Sequence, residues 1–160
     1  MTYAVDRMSE VWDVFRALEV PTHPRALEFL AFWNARAEDG IVIGRDVPSR
    51  RIAGLLSHLI VFEPTDGGSD CRVRLAGDSI RLRFDRDITG MLMSELFPPA
   101  QFREHIATTH AVIGSQTPVI LDSRLTNGAV EKMHLEVVIL PAISPDRVAN
   151  WTLVGLFYFD

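Results

Sequence analysis

The sequence is poor in the residues that mark several common chemistries. It holds one cysteine, Cys71, so no internal disulfide can form and a secreted disulfide scaffold is excluded. Lysine is almost absent, with arginine supplying fifteen of the sixteen basic residues. The net charge of −5 excludes broad nucleic-acid binding, which needs accumulated positive charge against phosphate. No window approaches the roughly 18 uncharged apolar residues of a membrane helix, and MTYAVDRMSEVWDVF lacks the apolar core of a signal peptide. H-E-x-x-H, C-x-x-C-H, G-x-S-x-G and a glycine-rich phosphate loop are missing, as are carboxylates spaced for acid–base work. No catalytic residue and no metal ligand is therefore assigned. The expectation is one soluble, cytoplasmic, non-enzymatic domain.

What is present is patterned apolar sequence, 48% of the chain, enough for a substantial core. Val11, Trp12, Phe15 and Leu18 recur at spacings of three and four, which predicts a helix from Ser9 to Val20. Pro21 stops it. Thr22 or His23 followed by Pro24 reads as the start of a second helix, Arg25 to Glu38, carrying Phe29, Phe32 and Trp33. Residues 1–40 are thus expected as a helical extension to a domain at 41–160. Leu59–Glu63 and the alternating Cys71, Val73 and Leu75 form a hairpin around Pro64–Gly68. Asp78 or Ser79 opens a short helix, and Pro98-Pro99 a long one ending at Gly114. Two strands meet at Asn127-Gly128, the second running to Pro141. Trp151 to Phe159 is apolar on both faces, as a central covered strand is.

This order resembles a PAS domain, and more specifically a bacterial family of short proteins made of one PAS domain and little else. The resembling residues are Phe32-Trp33, Arg45-Asp46-Val47-Pro48, Arg72-Val73-Arg74-Leu75-Ala76-Gly77, Asp87-Ile88-Thr89-Gly90 and Leu140-Pro141. The resemblance implies an α+β fold, a five-stranded antiparallel sheet with helices on one face, and a sensory or binding role. It names no ligand.

Within that fold, a ligand pocket is expected between the long helix and the sheet, lined by Phe102, His105, Ile106, Thr109, Leu121, Met133 and Leu135. Arg74, Gly77, Asp87 and Gly90 are read as a structural signature, with Arg74 reaching Asp87 to tie the connector to the sheet. Cys71 lacks the flavin motif G-x-N-C-R-F-L-Q and reads as a buried strand thiol. His105 and His110 sit about 140° apart around a helix and cannot clamp one metal together. His105 alone faces inward, which keeps a haem-binding sensor as an alternative, although neither haem nor flavin is expected. The leading reading is a sensory module that binds a small molecule or a protein partner in trans. Its rival is a pure interaction module with no ligand. The aromatic stripe of Trp12, Phe15, Phe29, Phe32 and Trp33 predicts a homodimer through the amino-terminal helices, with no nucleic-acid or membrane partner.

Overall fold

The computed structural model of the chain describes residues 15–36, 38–127 and 130–159. Strands β1 (Arg16–Leu18), β2 (Leu59–Thr65), β3 (Asp70–Ala76), β4 (Val119–Asn127), β5 (Val130–Ile143) and β6 (Asn150–Phe159) form one antiparallel sheet. Their spatial order is β1-β4-β5-β6-β2-β3. The α-helices are α1 (Pro24–Asn34), α2 (Asp78–Phe84), α3 (Met93–Leu96) and α4 (Pro99–Ser115). The α+β class is as expected, but the sheet has six strands and not five.

The extra strand lies where the sequence predicts the end of a helix. Arg16, Ala17 and Leu18 pair with Asp122, Leu121 and Ile120 of β4. Helical spacing of apolar residues competes there with an open sheet edge, whose unpaired backbone groups β1 satisfies. Arg16 Nη2 adds a 3.3 Å bond to Asp122 Oδ2. Val11 and Trp12 lie outside the described residues.

The apolar alternation of β5 and β6 creates two cores. Val138, Leu140, Leu153 and Phe157 share one cluster with Phe29 and Phe32 of α1. Leu135, Val137, Ile139 and Val154 share the other with Ile80, Phe84, Met93 and Val112. Helices therefore cover both faces, α1 on one and α2–α4 on the other, which corrects the expectation of a single covered face. Strands apolar on both sides require this.

The same packing redirects the aromatic stripe. Phe29 is fully buried, its ring 5.8 Å from that of Phe157 in an edge-on contact. Phe32 is buried and Trp33 packs against the same cluster. Phe29 and Phe32 are core and Trp33 is half-buried against it, so the α1 rings are not the contiguous exposed stripe that the sequence predicts.

Local chemistry fixes how the chain enters α1. His23 is the N-cap, its ring Nδ1 accepting from Arg25 N–H at 3.1 Å, with Pro24 at the first helical position. Buried Glu136 on β5 accepts from the Thr22 and His23 amides at 2.9 and 2.8 Å and from the Thr22 hydroxyl at 2.7 Å. The helix stops at Asn34, short of Glu38.

Two other boundaries differ from expectation. Helix α4 runs past Gly114 and is capped by Gln116 in the left-handed region, φ 54°. Strand β5 continues through Pro141 to Ile143. Its pairing with β4 ends at Ile139, leaving Pro141 only β6 as a neighbour. A proline without an N–H is tolerated where the ladder is one-sided.

Candidate functional site

The arginine-rich stretch from Cys71 to Gly90 is a structural joint. Val73 N–H donates to Met91 O at 2.9 Å, and Gly90 N–H donates to Val73 O at 2.8 Å. Arg72 Nη1 donates to Gly90 O at 2.8 Å. The connector after α2 thus runs along the outer edge of β3, covering a row of backbone groups that would otherwise be exposed. Asp87 closes the turn, its Oδ1 accepting from Thr89 N–H at 3.0 Å, and Gly90 takes φ 89°.

The expected Arg74–Asp87 contact does not form. Val61 pairs with Leu75 and Phe62 with Val73, so Arg74 is the extra residue of a β-bulge. A bulge re-aims its side chain. Arg74 reaches Glu63 at 3.4 Å and lies 5.6 Å from the Trp151 ring centroid, on the α1 side of the sheet. Gly77 earns its place by close approach: a Cβ there would stand 2.2 Å from Leu56 O. Cys71 is buried; burial, then the negative charge of Asp70, pushes its thiol up to about 12, so it is an inert core group.

On the α4 side of the sheet lies a cavity of about 100 Å³. Ile60, Phe62, Leu121, Leu135, Val137, Ile139, Val154 and Leu156 line it from the strands. Phe84 closes it from the end of α2, Met93 and Phe97 from α3 and its C-cap, and Phe15 from the segment before β1. The polar groups in the wall are Gln101, His105, Thr109 and Tyr158.

Those polar groups carry no charge at neutral pH. Burial alone pushes His105 down to about 4, its ring standing edge-on to Phe97 at 4.6 Å and to Phe15 at 5.4 Å. Burial raises Tyr158 to about 12 against the opposing influence of Arg83, whose guanidinium sits 3.8 Å from the Tyr158 ring centroid. The Thr109 hydroxyl turns back to donate to His105 O at 2.9 Å. A neutral, largely apolar wall with a few polar groups suits a small uncharged molecule.

Of the pocket residues expected from sequence, His105, Thr109, Leu121 and Leu135 line the cavity. Phe102 and Ile106 instead pack beside it against the same core cluster, and Met133 lies outside the wall. The residues that sequence reasoning missed are chiefly Val154, Leu156 and Tyr158, alternate positions of β6. Their signal was present in the two-faced apolar pattern of that strand. Phe97, at the C-cap of α3, had none, and the helical spacing of Phe15 pointed to a helix and not to this wall. His110 is turned away from the cavity, its Nε2 donating to the Gly68 carbonyl.

Among the described residues, no group of three or more His, Cys, Asp or Glu side chains is arranged to hold a metal. Among them too, no helix is long and apolar enough to cross a membrane. No curated protein and no solved structure matches the chain. The PAS domain family does match it, over residues 21–157, a span that takes in α1, β2 to β5, most of β6 and the whole α2–α4 layer. By that match and by its sheet with helices on it, the chain belongs to the PAS domain family.

Proposed function

We propose that the chain is a non-enzymatic, cytoplasmic sensory module that takes a small, mainly apolar, uncharged ligand in the cavity under α4 and signals to a protein in trans. The observation that carries this is the cavity itself. About 100 Å³ exceeds several-fold the roughly 10–15 Å³ that one water needs. The space is apolar except for Gln101, His105, Thr109 and Tyr158, so it favours a ligand over water. Neutral His105 offers one donor and one acceptor, enough to orient a ligand with a single polar group. Neither haem nor flavin is part of this reading. A second copy of the chain is one partner in trans, although the aromatic rings of α1 are already spent on its own core.

Indole is a suitable probe, having an apolar body and one N–H. It is expected to raise the melting temperature saturably, because a ligand that binds only the folded state stabilises it. Val137→Phe should fill the cavity and abolish the shift, and Leu156→Phe on the adjacent strand serves if the first variant does not fold. Absence of any shift in the wild type, or an equal shift in a folded cavity-filled variant, contradicts the reading.

A further inference from the structure

We propose that a second, separate site binds a small organic anion, a phosphate or carboxylate on an apolar body, in the surface cleft between the start of α1 and α2. The cleft has a volume of about 560 Å³, within the range of roughly 300–1,000 Å³ typical of ligand sites. Arg25, Arg83, His23 and His58 line it, and no acidic residue does. In a chain of net charge −5, a wall with two arginines and no carboxylate is a local arrangement and not a consequence of composition.

Each guanidinium is held by a neutral partner, which leaves its charge unneutralised. Arg25 Nη1 lies 3.2 Å from His58 Nε2, and Arg83 lies over the Tyr158 ring. Among the described ion pairs, neither arginine meets a carboxylate. His58 is held below its ordinary value by burial and then by the charges of Arg25 and His23, as expected in a positive local field. Exposed Leu82 and Pro24 supply apolar surface beside these arginines, which fits an anion carried on a hydrophobic group. The amides at the start of α1 play no part. Those of Thr22 and His23 already bind Glu136, and that of Arg25 binds His23. Arginine is suited to the task, since its planar fork matches carboxylate and phosphate oxygens.

The test is a titration of the full-length chain with phenyl phosphate, followed by amide NMR, with benzyl alcohol and inorganic phosphate as comparison probes. Saturable shifts are expected at residues 23–25, 58 and 79–83 with phenyl phosphate, weaker binding of inorganic phosphate, and none of benzyl alcohol there. Arg25→Gln and Arg83→Gln, both at exposed positions, should each weaken binding by about tenfold. The proposal is overturned by the absence of saturable shifts, by shifts confined to the α4 cavity, by inorganic phosphate binding as tightly, or by unchanged affinity in both variants. Cleft and cavity share only the Tyr158 wall. Absent shifts, equal binding of inorganic phosphate or unchanged affinity in both variants therefore leave the indole reading of the cavity standing, whereas phenyl phosphate shifts confined to the cavity would count against both.

Discussion

Arg72 donates its guanidinium to the carbonyl of Gly90 at 2.8 Å, joining two short motifs eighteen residues apart into one edge of the sheet. With the backbone pairs between Val73, Gly90 and Met91, this contact places the connector that leads into α3 and α4. The cavity beneath α4 depends on that placement. The motifs thus serve the site without belonging to it.

The glycine of the first motif provides a sharp test. In Gly77→Ala the new methyl would meet Leu56 O at 2.2 Å and Ser57 C at 2.5 Å, both backbone atoms that cannot swing aside. A loss of about 3 kcal/mol is expected, read as a lower urea midpoint. Gly54→Ala, with nothing within 4 Å, should stay within about 0.5 kcal/mol of wild type. Equal effects at the two positions would contradict the packing described.

Glu136 anchors the entry to α1 from the middle of β5. Glu136→Ala leaves the Thr22 and His23 amides without the carboxylate they bind, and hydrogen bonds to charged groups are the strong ones. The expected cost is about 3 kcal/mol. Glu63→Ala, which removes a half-exposed partner of Arg74, should cost less than about 1 kcal/mol. The comparison is made by chemical denaturation, and a Glu136 variant as stable as the Glu63 variant would show that the carboxylate is not an anchor.

His105 makes stability depend on pH in a defined direction. Its folded value of about 4 lies below the ordinary 6.5, so between these values the unfolded chain binds the extra proton. The stability due to keeping the ring neutral is therefore fully present above pH 6.5 and is lost as pH falls towards 4. The loss over that window is about 3 kcal/mol. Below it Asp46 takes over. Its carboxyl is opposed by burial but held low by Arg45, Val42 N–H and Arg36, so its contribution fades as acid protonates it. His105→Leu should make the stability profile shallower between pH 6.5 and 4, leaving the part due to His58, which burial also holds below its ordinary value. A variant whose profile runs parallel to wild type would show that His105 is not a buried neutral base.

Most of the layer order was legible in the sequence because it follows from period and punctuation. Cys71, Val73 and Leu75 alternate, Pro98-Pro99 opens α4, and His23-Pro24 opens α1. What was not legible depends on partners distant in the chain. Leu18 and Phe15 keep helical spacing, yet Arg16–Leu18 forms a strand because β4 offers an edge 106 residues away. The bulge that diverts Arg74 from Asp87 is a mismatch of register between two strands, invisible in either alone. Half of the cavity wall could be read from α4, β4 and β5. The β6 face was ambiguous because both of its faces are apolar.

The α4 side of the sheet is proposed to take a ligand in its cavity, whereas the α1 side packs as a hydrophobic core. Methyl NMR of the full-length chain titrated with indole tests this proposal most directly. Saturable shifts are expected at Leu121, Leu135, Val137, Ile139, Val154 and Leu156, which line the cavity, and not at Leu59, Val61, Leu140 and Leu153 on the opposite face. No saturable shift, or shifts of equal size on both faces, would contradict it.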